Sequence, residues 1–209
     1  MNDGGSMKNI GVLISGRGTN LQALIDAAHS ARLGGEIAVV VSNVETAPGL
    51  DRARRAGIPT VCRDHRGRKR EEFDQEIAAI LRHHHVDLVC LAGYMRLLSP
   101  VFIRAFPGRI LNVHPSLLPA FQGREAQRRA WEYGVKVSGA TVHLVDEALD
   151  AGPIVLQEAV PALESDTPES LTARILEAEH RIYPRAVRVV LEGRYRVEGR
   201  RVILEEEGR

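Results

Sequence analysis

The feature that most constrains this chain is an alternation of strand-like and helix-like segments over its first 113 residues. Short apolar runs rich in Val, Ile and Leu are separated by longer segments whose apolar residues recur at helical spacing. Strands joined by helices pair in parallel, because each helix returns the chain to the same end of the sheet. Strands are predicted at 10–14, 36–41, 58–62, 86–92 and 109–113, and helices at 20–31, 48–56, 70–84 and 100–105.

The second half of the chain follows a different pattern. A short helix is predicted at 125–133, and β-rich segments follow at 137–145 and 153–160. The connection between these two segments is too short for a crossover helix, so they are expected to pair antiparallel. Thr167 is expected to cap a last long helix, and residues 195–204 are predicted to form a hairpin. Together the two halves predict a single-domain α/β fold with a Rossmann-like, mostly parallel sheet flanked by helices and an antiparallel pair in the C-terminal half.

Length and charge narrow the class of protein. We assign residues 9–209 to one domain and residues 1–8 to a flexible N-terminal lead or an artificial remnant of expression. The 28 basic and 27 acidic residues give a net charge of +1, which provides no general attraction to nucleic acid. No apolar run approaches the roughly 18–20 residues of a membrane span. Because no secretion signal is recognisable, Cys62 and Cys90 are interpreted as buried thiols of a cytoplasmic protein.

The strongest chemical signal lies at the end of the fifth predicted strand. Residues two apart on a strand face the same side, so Asn112 and His114 are expected to stand next to each other. An asparagine supplies a neutral amide donor, and a histidine can carry a proton at physiological pH. Pro115 then directs the chain out of the sheet. Taken alone, such a pair is more often part of a turn, so its meaning depends on motifs elsewhere in the chain.

A glycine-containing loop follows the first predicted strand and opens the first helix. The amides of Gly16 and Gly18 in such a place point outward and favour an anion, although glycines can also simply make a tight turn. A dinucleotide site would need a third glycine where this chain has Leu21, and an acid where it has Ser42. The loop therefore favours a phosphate group over a nicotinamide cofactor.

Five motifs together resemble the formyltransferases that use 10-formyltetrahydrofolate. The resemblance extends from residue 9 to about residue 192, and the combination of distant motifs outweighs the interpretation of each as a turn. The motifs are I-S-G-R-G-T-N-L-Q at 14–22, L-A-G-Y-M-R-L-L at 91–98, N-V-H-P-S-L-L-P at 112–119, G-A-T-V-H-L-V-D at 139–146 and D-A-G-P-I at 150–154.

The resemblance implies a chemical reaction and the residues that perform it. A formyl group would pass from 10-formyltetrahydrofolate to the amine of phosphoribosylglycinamide, in purine biosynthesis, by direct attack through a tetrahedral intermediate. The implied catalytic residues are Asn112, His114 and Asp150, and Asp150 is expected to reach the other two because strand ends converge at one edge of a parallel sheet. His143 is expected to support the site or to lie in the core. No metal is predicted, and the consecutive histidines 83–85 cannot share a helix face.

The resemblance also implies two binding regions. The phosphoribosyl substrate is expected at Gly18, Thr19, Asn20 and Glu179. The folate co-substrate is expected at Arg70, Met95, Arg96, Leu97, Leu98, Asn112, Asp146, Glu147, Ala148, Leu149 and Asp150. A flat apolar slot suits a pterin, and an arginine suits the carboxylates of its glutamate tail. No nucleic acid or membrane partner is predicted, and the protein is expected to be a monomer or a homodimer.

Three alternatives remain to be distinguished from this hypothesis. An initiator-tRNA formyltransferase would have the same catalytic motif with a further C-terminal domain and a basic surface. A formyl-folate deformylase would have a regulatory domain before the catalytic one, for which this sequence leaves no room. A non-enzymatic module that binds a phosphorylated ligand would not require Asn112, His114 and Asp150 together.

Overall fold

The computed structural model describes residues 7–205, which form one α/β domain around a single sheet. Most of the predicted lead at 1–8 lies outside the described residues. The strands are β1 (Asn9–Ile14), β2 (Glu36–Ser42), β3 (Thr60–Cys62), β4 (Leu88–Leu91), β5 (Ile110–His114), β6 (Val137–Leu144), β7 (Ile154–Pro161), β8 (Tyr195–Glu198) and β9 (Arg201–Leu204). The helices are α1 (Thr19–His29), α2 (Pro48–Arg55), α3 (Arg70–His83), α4 (Pro100–Ala105), α5 (Ala126–Tyr133) and α6 (Pro168–Glu192).

The sheet confirms the predicted change from parallel to antiparallel pairing. Its order is β3-β2-β1-β4-β5-β6-β7-β9-β8, and all pairings among the first five strands are parallel. Strand β6 pairs antiparallel with both β5 and β7. The predicted terminal hairpin is β8–β9, but it also joins the main sheet, since β9 pairs with β7 at Ile154 and Arg201. This contact between distant parts of the chain leaves no local pattern in the sequence.

The helices cover both faces of the parallel half of the sheet, which explains its continuous apolar strands. Strand β4 is buried along its whole length, as is β1 beyond its first residue. One apolar cluster joins the sheet to α1, α2 and α6, and a second joins its other face to α3 and α4. Strands with helices on both sides have no polar face, as parallel sheets require.

Helix α6 anchors the sheet beneath the fifth strand. Thr167 caps it as predicted, and Ser170 completes a reciprocal capping box. The hydroxyl of Tyr183 lies 2.9 Å from the carbonyl oxygen of Leu91 and 3.2 Å from that of Leu111, so it ties the helix to β4 and β5. Within the described residues, no helix is both long and apolar enough to cross a membrane.

Most predicted element bounds differ from the observed ones by one or two residues, and two further details have a local cause. Cys90 is buried as predicted, but Cys62 is only half-buried, because the short strand β3 lies at the edge of the sheet and has a neighbour on one side only. The fifth helix begins at Ala126 rather than at 125, because Glu125 adopts a left-handed backbone with φ of 55°. Neither difference moves a predicted site residue.

Candidate active site

Four polar side chains stand together on one face of the sheet at β5 and β6. Asn112 and His114 are two residues apart on β5 and therefore share a face. Across the antiparallel pairing, Asn112 is opposite His143, and His114 is opposite Thr141. Paired residues on neighbouring strands point to the same side of a sheet, so the two histidines and the asparagine form one cluster.

Asp150 reaches this cluster by a route that the sequence did not indicate. Strand β6 runs antiparallel to β5, so its end lies beside the start of β5, where the amide of Val145 donates to the carbonyl of Ile110 at 2.9 Å. The following loop runs along β5 until Asp150 stands next to His114. The predicted proximity is present, but it does not arise from strand ends meeting at one edge.

Two unusual backbone features hold the loop in this position. Asp150 adopts a left-handed backbone with φ of 47°, a conformation that Asp and Asn tolerate better than most residues. Gly152 lies so close to β6 that a Cβ atom there would be 1.8 Å from the carbonyl oxygen of Leu144. The guanidinium of Arg200, at the turn of the terminal hairpin, donates to the carbonyl of Ala151. Sequence reasoning missed Arg200, because only the folded sheet brings it to this loop.

The Asp150 carboxylate is almost enclosed by hydrogen-bond donors. Its side chain is 10% exposed, and Oδ2 lies 3.4 Å from His114 Nδ1. The same oxygen accepts from the backbone amide of Gly123 at 2.8 Å, and Oδ1 accepts from Asn112 Nδ2 at 3.5 Å. A buried carboxylate needs such partners, because its charge has lost most of its contact with water.

Both ring nitrogens of His114 face acceptors. Nε2 lies 2.9 Å from the backbone carbonyl of Phe121, which can only accept, so Nε2 carries a proton in this arrangement. Nδ1 faces the carboxylate of Asp150. The surroundings can therefore satisfy both N–H groups of a positively charged ring. A group of this kind can move a proton or stabilise a developing negative charge.

His143 orients the amide of Asn112. Its Nδ1 donates to the Leu144 carbonyl at 2.9 Å, and burial lowers the pKa of His143, which favours the neutral ring. In that tautomer Nε2 is an acceptor, and it lies 3.2 Å from Asn112 Nδ2. The nitrogen of the Asn112 amide is thereby directed toward His143 and Asp150, as a neighbouring acceptor usually decides which way an amide points. The expectation that His143 supports the site from a buried position is consistent with this geometry.

A second polar pair connects the first helix to the last. Asn20 Nδ2 donates to Glu179 Oε2 at 2.7 Å, and both residues are buried. Burial raises the pKa of Glu179 to about 7, and the hydrogen bond from Asn20 partly opposes this shift. Asn20 Oδ1 is buried without a hydrogen-bond partner within residues 7–205. Such an unsatisfied acceptor points to a ligand or water that completes the pair.

The loop before α1 presents backbone amides at a helix start. Helix α1 begins at Thr19, and no side chain caps it. Gly18 has φ of 70°, and a Cβ atom there would lie 2.6 Å from Cα of Gly49. The position therefore favours glycine for two reasons, its left-handed backbone and the lack of space for a side chain. The amide of Gly49 in turn donates to the carbonyl of Gly16 at 3.0 Å. Uncapped amides at a fixed helix N-terminus can bind an anion.

The loop after β4 is held to the end of β1. Ser15 Oγ accepts from the amide of Met95 at 2.8 Å and donates to Asn43 at 2.5 Å. Met95 and Leu97 then project outward, with 71% and 54% of their surface exposed. Ser15 belongs to a motif that the sequence analysis recognised, but its function as a brace for this loop was not predicted.

The remaining residues expected at the folate differ in their surroundings. Leu98 is buried, and the guanidinium of Arg96 lies 4.6 Å from the ring centroid of Phe73. Arg70 begins α3 and is exposed. On the other side of β5, Leu149 is 55% exposed. Asp146 accepts from the amide of Ala148 at 3.0 Å, and Glu147 lies 3.5 Å from Arg104.

A histidine and an asparagine amide that stand side by side on an α/β sheet can move a proton and stabilise a developing negative charge, which is the chemistry that a group-transfer enzyme needs. A comparison with protein-family models supports this class, because the model described as "Formyl transferase" matches residues 8–187. The chain therefore belongs to the formyl transferase family.

Individual relatives agree with this assignment. The crystal structure of glycinamide ribonucleotide transformylase 1 from Symbiobacterium toebii superimposes with a TM-score of 0.96 at 55% identity, covering 99% of this chain and 98% of that one. Phosphoribosylglycinamide formyltransferase of Haemophilus influenzae is 46% identical over 91% of each chain. The human trifunctional purine biosynthetic protein adenosine-3 is 49% identical over 88% of this chain, which spans only 18% of that longer protein.

Proposed function

We propose that this chain transfers the formyl group of 10-formyltetrahydrofolate to the amine of phosphoribosylglycinamide in purine biosynthesis. The observation that carries the proposal is the cluster of Asn112, His114 and Asp150, in which a carboxylate lies 3.4 Å from one imidazole nitrogen. Relatives that match nearly the whole chain are named for this reaction or for its substrate.

The chemistry requires little beyond orientation and charge. The substrate amine attacks the formyl carbon, the carbonyl oxygen becomes an oxyanion, and the folate nitrogen leaves after taking a proton. Asn112 and a protonated His114 both carry N–H groups, which in the free protein point to the Phe121 carbonyl, His143 and Asp150. When substrate binds, His114 Nε2 and one N–H of Asn112 would exchange these acceptors for the oxyanion, because donors aimed at a developing oxyanion are a large source of catalysis. Asp150 would keep the charged ring in place while a proton passes from the attacking amine to the leaving nitrogen.

The phosphoribosyl substrate fits the region between α1 and α6. Gly18, Thr19 and Asn20 offer the uncapped amides of a helix start, which suit the phosphate. Glu179 and the unpartnered Asn20 Oδ1 are acceptors, and the hydroxyl and amide groups of this substrate are donors. The two sets of groups complement the two ends of one molecule.

The folate co-substrate fits the loops on either side of β5. Exposed apolar side chains at Met95, Leu97 and Leu149 flank the strand that carries Asn112, and such side chains can cover a flat pterin ring. Arg70 is available for a carboxylate of the glutamate tail. The other proposed folate contacts are Arg96, Leu98, Asp146, Glu147, Ala148 and Asp150.

We further propose that the protein acts in the cytoplasm as a monomer or a homodimer, without a nucleic acid or a membrane as partner. Its reaction uses two small, soluble substrates, and its net charge of +1 gives no general attraction to polyanions.

An isotope experiment tests the proposed reaction. 10-Formyltetrahydrofolate with a labelled formyl carbon is incubated with the protein, with and without phosphoribosylglycinamide, and the products are separated and analysed by mass spectrometry. The proposal predicts that the label appears on the amine in proportion to the tetrahydrofolate formed. Release of the label as formate at the same rate with and without the amine would instead indicate a deformylase, and absence of turnover would favour a binding module.

A further inference from the structure

We propose that an arginine-lined cavity is a second anion site, which binds a compound with several linked phosphate groups. The cavity has a volume of about 920 Å³, lies between α1 and α6, and is within the size range of small-molecule sites. None of the cluster residues Asn112, His114 and Asp150 lines it. Its charged lining consists of Arg32, Arg52, Arg181, Arg185, Arg188, Arg194, His180 and Asp26.

The charge of this cavity contrasts with that of the whole chain. Six arginines line it with one carboxylate, and carboxylates outside the lining pair with three of the six, whereas the chain as a whole carries a net charge of only +1. Like charges held at one surface repel each other unless a counterion joins them. The three arginines that have no carboxylate partner within residues 7–205 therefore favour a multiply charged anion in the cavity.

Several of these arginines retain unused donors. Arg181 pairs with Glu158, and both Arg188 and Arg194 pair with Glu192. Arg32, Arg52 and Arg185, in contrast, have no carboxylate partner within residues 7–205. Their guanidinium groups keep the planar donor geometry that matches phosphate oxygens.

Arg52 and Arg32 are held in place by neutral groups. Arg52 donates to the carbonyl of Arg17 at 2.9 Å and to Gln22 at 3.2 Å, and Arg32 donates to Ser30 at 2.8 Å. A guanidinium has five N–H groups, so both side chains are positioned and still have donors left for a ligand. Neutral partners of this kind orient a cation without cancelling its charge.

His180 adds a polar group that has no partner. Its Nε2 is buried and makes no hydrogen bond within the described part of the chain. Burial lowers the pKa of His180, so the free protein favours its neutral ring. A negative charge in the cavity would favour the protonated ring of His180.

The size and spread of the basic groups favour an oligophosphate over a single phosphate. One phosphate group is satisfied by one or two arginines, whereas here three arginines without a carboxylate partner are distributed around a cavity of about 920 Å³. Thr19 is the only residue that this cavity shares with the proposed substrate residues Gly18, Thr19, Asn20 and Glu179. The cavity is thus adjacent to the proposed substrate site but distinct from it.

Calorimetric titration of the full chain tests the proposal. Sodium tripolyphosphate is titrated at about 0.15 M ionic strength, where long-range attraction between exposed charges is largely screened. We expect saturable binding of one anion per chain, and at least about tenfold weaker binding to Arg32→Ala/Arg185→Ala, which loses two guanidinium partners. ATP binding with similar affinity would indicate that phosphates alone are recognised, and much tighter ATP binding would indicate a nucleotide.

A matched control separates a built site from general charge. Arg82→Ala/Arg109→Ala removes the same charge from exposed arginines that do not line the cavity, and this variant should bind tripolyphosphate like the wild type. Equal weakening in both double variants, or no saturable binding to the wild type, would overturn the proposal. Because Arg32 and Arg185 are not assigned to formyl transfer, the kcat of Arg32→Ala/Arg185→Ala without added phosphate should stay within about twofold of wild type, a change below about 0.4 kcal/mol.

Discussion

Replacing Asp150 by asparagine should strongly reduce formyl transfer without unfolding the protein. The substitution keeps the shape of the side chain and removes its charge. In the wild type the carboxylate is 10% exposed and lies 3.4 Å from His114 Nδ1. At an effective dielectric constant of about 20, a full charge pair at this distance is worth about 5 kcal/mol.

The expected rate loss follows from that interaction. The amide of Asn retains a hydrogen bond, so we assume that between half and most of the interaction is lost in the transition state. Each loss of about 1.4 kcal/mol lowers the rate tenfold, which gives a fall in kcat of roughly 10²- to 10³-fold. The KM values for both substrates should change little, because the cluster acts mainly on the charge that develops during the reaction.

The assay is steady-state kinetics with each substrate varied in turn, together with thermal unfolding of every variant. Asp51→Asn is the matched control, since Asp51 forms an exposed ion pair with Arg54 on α2. A kcat of Asp150→Asn within about fivefold of wild type would show that the carboxylate does not act on the chemical step. Equal losses in both variants would lead to the same conclusion.

Three further predictions concern other parts of the site. Burial raises the pKa of Glu179 to about 7 from an ordinary 4.5, so the folded wild type should lose stability as the pH rises from about 4.5 to 7. Glu179→Gln lacks this titration, and its free energy of unfolding in urea should rise by up to about 3 kcal/mol relative to the wild type across this range. Parallel stability curves for the two proteins would contradict this expectation. His143→Leu removes the acceptor of Asn112 and should lower kcat about tenfold in steady-state kinetics, with partial recovery in His143→Gln, which keeps an acceptor. Gly18→Ala places a Cβ atom against Gly49 at a positive φ, and should lower stability by about 1–3 kcal/mol and weaken substrate binding; an unchanged Tm would argue against this strain.

Much of the fold could be predicted because it is encoded in local patterns. Alternating strands and helices indicated the parallel half of the sheet, and a short connection indicated the antiparallel turn to β7. The pairing of β9 with β7 was not predictable in this way, since it joins Ile154 to Arg201 at one position only. Such contacts depend on how complete elements pack.

Part of the site could also be predicted from local sequence patterns. Asn112 and His114 are neighbours through strand geometry alone, so the spacing of two residues was sufficient. We predicted that Asp150 lies near His114, and it does. The predicted route was wrong, because Asp150 arrives on the loop after β6, which runs along β5, and not at an edge where strand ends meet. The supporting contacts of His143 and Arg200 depend on register and on the terminal hairpin, which the sequence does not display.

The most direct test of the central claim is a single-turnover measurement on His114→Ala. Enzyme in excess over both substrates is mixed and quenched at intervals, so that the chemical step is observed apart from product release. We expect a rate constant at least ~100-fold below wild type, the usual contribution of a proton-transfer group. In calorimetry, both substrates should bind with nearly unchanged affinity. A variant that transfers the formyl group at close to the wild-type rate would contradict the assignment of catalysis to this cluster.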